Sequence, residues 1–242
     1  MSGIESFDSA QGPVEPFQKG ASGIDATPLQ NGEPGGIERA KPFQKNNSPA
    51  PLGAGPRAAL AALQAFIADE KNLIAIDALA EMMATAYKSG GKVMFCGNGG
   101  SMCDAMHAAE ELTGRFHRDR PALPAIAFSN QGHLTCVGND YGFDAIFSRG
   151  VEAFAKPGDV LVGMTTSGNS PNIIAAIDAA KARDVRTVAL LGKDGGKLHG
   201  HCDLEIIVPG ATTDRIQELH MMILHCAIEG VEERLFFGGV EK

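Results

Sequence analysis

Residues 96–114, CGNGGSMCDAMHAAEELTG, decide how this chain is read. They follow KVMFC (residues 92–96), a compact apolar run of strand length, and contain a glycine turn that ends at Ser101. From Ser101 the residues continue at helical spacing to about residue 113. A strand, a glycine turn and a helix in succession set free backbone amides and a partial positive charge at the turn, which suits an anion. On that helix His107 and Glu111 stand four apart, on one face and one turn from each other. Glu110 projects about 100° away and is the weaker partner.

Outward from this stretch the pattern repeats. Apolar segments of strand length recur at ALPAIAFS (122–129), DVLVGMTTS (159–167), TVALLG (187–192) and LEIIVP (204–209). Helical periodicity fills the intervals, at roughly 143–155, 171–183 and 213–237. Two more helices precede the first strand over residues 57–91, broken near Asp69 to Asn72 and closed by Ser89-Gly90-Gly91. Short all-apolar strands alternating with helices predict an α/β fold, a doubly wound parallel β-sheet covered by helices on both faces. Ligands are then expected beyond the carboxyl ends of the strands.

A second candidate cradle lies at such an end. Thr165-Thr166-Ser167-Gly168-Asn169-Ser170 offers four hydroxyls, and Pro171 suits a first helical turn. Neither turn matches GxxxxGK[ST] or GxGxxG, so a phosphomonoester fits better than a nucleoside triphosphate or a dinucleotide. Ser and Thr ahead of helices also serve as ordinary N-caps, and each turn alone is open to that reading. Two such turns at strand ends of one sheet favour phosphate.

The last helical segment, DRIQELHMMILHCAIEGVEERL, carries Gln217, His220 and His225 among apolar residues. Gln217 and His225 lie about 80° apart around the axis, and two polar groups on one half of a buried helix need partners. His220 reads as structural or as a support to the site.

Residues 1–50 are different in kind. They hold seven Gly and six Pro with no apolar run at either period, and residues 1–56 read as a flexible extension ahead of a domain at 57–242. EPFQKG (15–20) and KPFQKN (42–47) echo each other, and Phe17 and Phe43 are candidate anchors if the echoes bind a partner. The net charge of −8 over 242 residues argues against a general nucleic-acid surface. With no signal peptide and no membrane-length apolar stretch, the expected address is the cytoplasm. Five cysteines without a CxxC spacing read as reduced thiols, mostly filling the core.

GNGGSMCDAMHAAEELTG, RPALPAIAFS, VGNDYGF, TTSGNSPNI, LGKDGG and DRIQELH together resemble the sugar isomerase (SIS) fold, and within it the sedoheptulose 7-phosphate (phosphoheptose) isomerase family. The resemblance runs from about residue 58 to the C-terminus, with the motifs in the family's order. It implies a flavodoxin-like three-layer sandwich and an aldose–ketose isomerase making D-glycero-D-manno-heptose 7-phosphate, the first step toward bacterial ADP-heptose. It implies one Zn²⁺ per subunit on His107, Glu111, Gln217 and His225, with Glu111 as base and His225 as acid. Phosphate would sit on Ser101, Thr165, Ser167 and Ser170, beside the backbone of Gly99 and Gly100. Asn98, Thr166, Asp140, Asp214 and Gln217 would meet the sugar. Thr165 stands where the family usually has Ser. A homotetramer with sites at subunit interfaces is implied too, and neither nucleic acid nor membrane is an expected partner.

Two residues keep simpler readings: Asp140 as part of a turn and Asp214 as the N-cap of the last helix. Relatives of this fold that bind the replication initiator as scaffolds lack the Glu and the final His present here as Glu111 and His225. Isomerisation of another phosphosugar is the nearest enzymatic alternative. A phosphosugar-sensing regulator would need a DNA-binding module, and residues 1–50 offer none.

Overall fold

The computed structural model describes residues 53–238. Residues 1–52 of the extension, with the PFQK echoes, lie outside these. Five strands form one parallel sheet in the order β2-β1-β3-β4-β5: β1 (Val93–Gly97), β2 (Ala125–Ala127), β3 (Val160–Thr165), β4 (Arg186–Gly192) and β5 (Leu204–Val208). The register sets Val93 beside Ala125 on one side and Val160 on the other. Chain direction across the sheet therefore reverses between β1 and β3, and a crevice opens there at the carboxyl ends.

Side chains alternate across each strand and supply both cores. Val93, Phe95, Val162 and Leu190 face α1 (Ala54–Ile67), α2 (Glu70–Lys88), α3 (Gly100–Thr113) and α7 (Thr213–Glu232). Met94, Cys96, Leu161 and Leu191 face α4 (Gln131–Asp140), α5 (Ser148–Phe154) and α6 (Pro171–Lys181). The expected three layers and doubly wound sheet are what the chain forms.

The break between the first two helices is real. Asp69 caps α2, its carboxylate accepting from the Lys71 amide at 3.1 Å. α1 opens at Ala54, earlier than the regular pattern suggests, with Pro56 in its first turn, where a missing N–H costs nothing. The last helix passes after Glu232 into a π-helical turn, Glu233–Phe237.

Three expectations fail. VGNDYG is not simply a turn: residues 131–140 form α4, capped by the Asn130 side chain on the His133 amide at 2.9 Å. The strand expected over 122–129 shrinks to Ala125–Ala127, because Pro124 has no N–H to give to a ladder. Of the cysteines, Cys96 alone is buried; Cys103, Cys136 and Cys226 are exposed, and all five are free thiols.

Candidate active site

Both hydroxyl-bearing turns lie at the β1/β3 reversal. The first leaves β1 through Gly97, Asn98 and Gly99 into α3, and the second leaves β3 through Thr166 to Ser170 into α6. They are tied across the crevice. The Asn98 carboxamide donates to Asn172 Oδ1 at 2.9 Å and accepts from Asn172 Nδ2 at 2.8 Å. Each amide keeps one N–H and one lone pair free for a ligand. Asn172 is buried on α6, and its part was missed because the pair is 74 residues apart in sequence.

In the second turn Thr165 Oγ1 lies 2.9 Å from Ser170 Oγ and 3.4 Å from Ser167 Oγ. Ser170 occupies the N-cap position of α6, yet its side chain makes no cap bond there. The hydroxyl is turned toward Thr165 instead, so the plain capping explanation does not account for it. Gly168 sits at φ +66°, and a Cβ on it would collide with the Gly195 carbonyl, which presses the LGKDGG loop onto the turn. Asn169 Oδ1 accepts from the Lys197 amide of that loop at 3.1 Å.

At the start of α3, Ser101 is buried and its hydroxyl accepts from Gln217 Nε2 on α7 at 3.3 Å. A Cβ on Gly100 would stand 2.6 Å from the same Gln217 amide, so a side chain there would push that amide off Ser101. Ten residues along α3 from Ser101, and eight along α7 from Gln217, the two helices meet again. There His107 Nε2 is 3.2 Å from Glu111 Oε1, against 3.9 Å from Glu110. The His107 and His225 rings pack edge to face with centroids 5.0 Å apart. One ligand atom from each of His107, Glu111 and His225 lies within 4.8 Å of the others.

His225 Nε2 is buried with no hydrogen-bond partner. Burial, and then the neighbouring His107, push its pKa below the ordinary value and keep the ring neutral. A neutral ring nitrogen with no partner, beside a carboxylate and a second imidazole, is a donor set that fits a divalent ion such as zinc. Phe116 stacks on the His225 ring, centroids 5.5 Å apart, covering one side of it. Phe116 was not singled out from sequence, since its loop has no periodicity to place it.

The remaining expected residues have local partners. Asp140 is the last residue of α4 and exposed, with its carboxylate accepting from Asn139 Nδ2 at 2.7 Å and from Cys136 Sγ at 3.5 Å. Asp214 is not the N-cap of α7, a position held by Thr212. It lies in the first turn, where bonds from the Thr212 hydroxyl and then Arg215 hold its pKa down to about 2. Thr166 is half-buried between Thr165 and Ser167. His220 is fully buried, and its Nε2 donates to the Leu191 carbonyl at 3.0 Å, so it supports the fold from inside.

Residues 57–192 match the model of the SIS domain. The phosphoheptose isomerase of Fusobacterium nucleatum subsp. nucleatum is 57% identical over 174 residues, covering 72% of this chain and 90% of that protein. The phosphoheptose isomerase of Vibrio cholerae is 55% identical over 72% of this chain and 91% of its own length. Among solved structures, phosphoheptose isomerase from Neisseria gonorrhoeae superposes with a TM-score of 0.69 at 40% identity, over 75% of this chain and 97% of that one. With identity this high over nearly the whole of these proteins, this chain belongs to the phosphoheptose isomerase family of SIS-domain enzymes.

Proposed function

We propose that the chain interconverts sedoheptulose 7-phosphate and D-glycero-D-manno-heptose 7-phosphate, an early step in bacterial ADP-heptose synthesis. The observation that carries this is the pairing of two features along one pair of helices. A hydroxyl cradle stands near the start of α3, and the His107–Glu111–His225 group stands further along it.

In this reading the phosphate is held by the hydroxyls of Ser101, Thr165, Ser167 and Ser170 and by the backbone around Gly99 and Gly100. Asn98, Thr166, Asp140 and Asp214 orient the sugar hydroxyls. His107, Glu111 and His225 would hold one zinc ion, with Gln217, whose amide here donates to Ser101 instead, as the proposed fourth ligand. Such an ion would supply polarisation of the sugar's oxygens and stabilise negative charge there. Glu111 removes the C1 proton of the ketose to give an enediol and returns a proton to C2. His225 exchanges the proton of the adjacent oxygen. Covered by Phe116, the neutral His225 ring is shielded on one side from competing water. The enzyme works as a homotetramer in the cytoplasm, with neighbouring subunits completing each site. The exposed Leu60, Ile67, Leu73 and Ile74 on α1 and α2, an apolar surface of the kind oligomers cover, support this.

The test is turnover of sedoheptulose 7-phosphate beside five- and six-carbon ketose phosphates. Preference for the seven-carbon substrate is expected. A protein inert toward it with zinc supplied, or one that prefers a shorter sugar, overturns the reading.

A further inference from the structure

Between α3 and β2 the chain passes through an irregular loop, residues 114–124, that carries Arg120. The Arg120 side chain is 1% exposed and makes an unusually complete set of bonds. Its Nη2 donates to the Glu111 carbonyl at 2.7 Å. Its Nη1 donates to the carbonyls of Leu112 at 2.8 Å, and of Gly114 and Pro121 at 3.2 Å. Its Nε donates to Glu232 Oε1 on α7 at 2.9 Å. Glu232 is 3% exposed, and its other oxygen accepts from the His117 amide at 3.4 Å.

We infer that Arg120 is a positioning residue for the isomerase reaction, setting Glu111 and His107 against His225 through its ion pair with Glu232. The geometry is specific to that task. The carbonyls at the end of α3 have no onward helical partners and carry partial negative charge, which a guanidinium satisfies. One of those carbonyls belongs to Glu111 itself. On the other side Glu232 lies seven residues after His225, two turns along and within about 20° of the same face. The fork therefore ties the backbone of the base to the face of α7 that presents its acid partner. The same loop carries Phe116 onto the His225 ring, so one bonded unit fixes the base, the acid and the cover.

A lysine could keep the charge but not the fork, since one ammonium cannot reach four carbonyls and a carboxylate together. The molecule contains its own control. Arg234 ties the end of α7 to Asp77 and Glu81 of α2, at 2.5 and 2.9 Å, and touches neither α3 nor the triad.

The inference rests on the proposed function, so wild-type protein is the reference for both. Arg120→Lys, Glu232→Gln and Arg234→Ala are compared with it by Zn²⁺ affinity, by kcat and KM for sedoheptulose 7-phosphate, and by thermal unfolding. Zn²⁺ affinity is read by competition with a chromophoric chelator and does not depend on turnover. Supports behind metal ligands typically contribute about 10- to 100-fold in affinity or rate. Arg120→Lys is expected to lose about tenfold or more in both Zn²⁺ affinity and kcat, with KM within about twofold. Glu232→Gln, which keeps the shape, should lose less in the same two quantities. Arg234→Ala should lower Tm and leave both unchanged. If Arg120→Lys does not fold, Glu232→Gln alone decides. Variants that lose only Tm, or that lose no more zinc affinity than Arg234→Ala, overturn the inference. A wild type that neither binds zinc nor turns over the sugar overturns the proposed function instead.

Discussion

At the end of β3 the Thr165 hydroxyl bonds those of Ser167 and Ser170, whereas further along α3 and α7 His225 keeps a buried nitrogen with no partner. The first region is self-satisfied before any ligand arrives. Its hydroxyls only have to redirect, and the Asn98–Asn172 pair and the Gly168–Gly195 contact hold the frame. The second region is held in a state of unmet demand by the packing of α3 against α7. An unpaired buried polar atom costs free energy. Tyr87, Asp104 and His220 each bury one too, but only that of His225 lies beside a carboxylate and a second imidazole that could share an ion. On the proposed function, recognition falls to the turns and chemistry to the helices.

The largest effect that would break this division comes from Glu111→Gln. Loss of a general base costs roughly 10² to 10⁴ in kcat, and KM for sedoheptulose 7-phosphate should stay near wild type because the cradle is untouched. A rise in KM as large as the fall in kcat would merge the two regions. Steady-state kinetics on the purified variant checks it.

The two histidines of α7 sharpen the contrast between chemistry and scaffold. His220, five residues before His225 on α7, has its pKa pushed down to about 4, chiefly by burial, and is neutral in the fold. In the unfolded chain its value is about 6.5, so the unfolded state takes up a proton first as the pH falls. Stability should therefore be flat above about pH 6.5 and fall by about 3 kcal/mol between there and about pH 4 on this account. Urea unfolding of wild type against His220→Gln across that range isolates the contribution. An unchanged pH profile in the variant would remove His220 from the account.

At the cradle, Ser170→Ala should raise KM roughly tenfold and lower kcat far less, since a hydrogen bond to a charged group contributes about 1.5 to 3 kcal/mol. The smallest change is Thr165→Ser. It keeps the hydroxyl bonded to Ser170 and removes one buried methyl, so KM should move by no more than about twofold, while stability falls by about 1 kcal/mol. A larger kinetic effect would give that methyl a direct part in shaping the phosphate site.

The sheet and both turns were legible because buried parallel strands are short apolar runs and glycine and hydroxyl residues mark their ends. The stripe of His107 and Glu111 was legible because helical spacing is fixed. α4 escaped because QGHLTCVGND has two glycines and an Asn-Asp pair, with only Leu134 and Val137 marking its apolar face. Its cap at Asn130 and tertiary packing outweigh those propensities. Asn172, Phe116 and the Arg120–Glu232 pair could not be read at all. Each acts across a loop or more than seventy residues, and spacing along one helix says nothing about which helix it will meet. That His107, Glu111 and His225 converge was implied by family resemblance and by no pattern in the residues themselves.

The central claim is that Glu111 moves a proton on the sugar held by the cradle. Running the reaction in deuterium oxide and reading the heptose product by NMR tests it most directly. Wild type should place solvent deuterium at C2, and Glu111→Gln should place essentially none in the same time. A wild-type product that carries only hydrogen transferred from C1 at C2 and no solvent deuterium, or a Glu111→Gln variant that exchanges at the wild-type rate, would contradict the account.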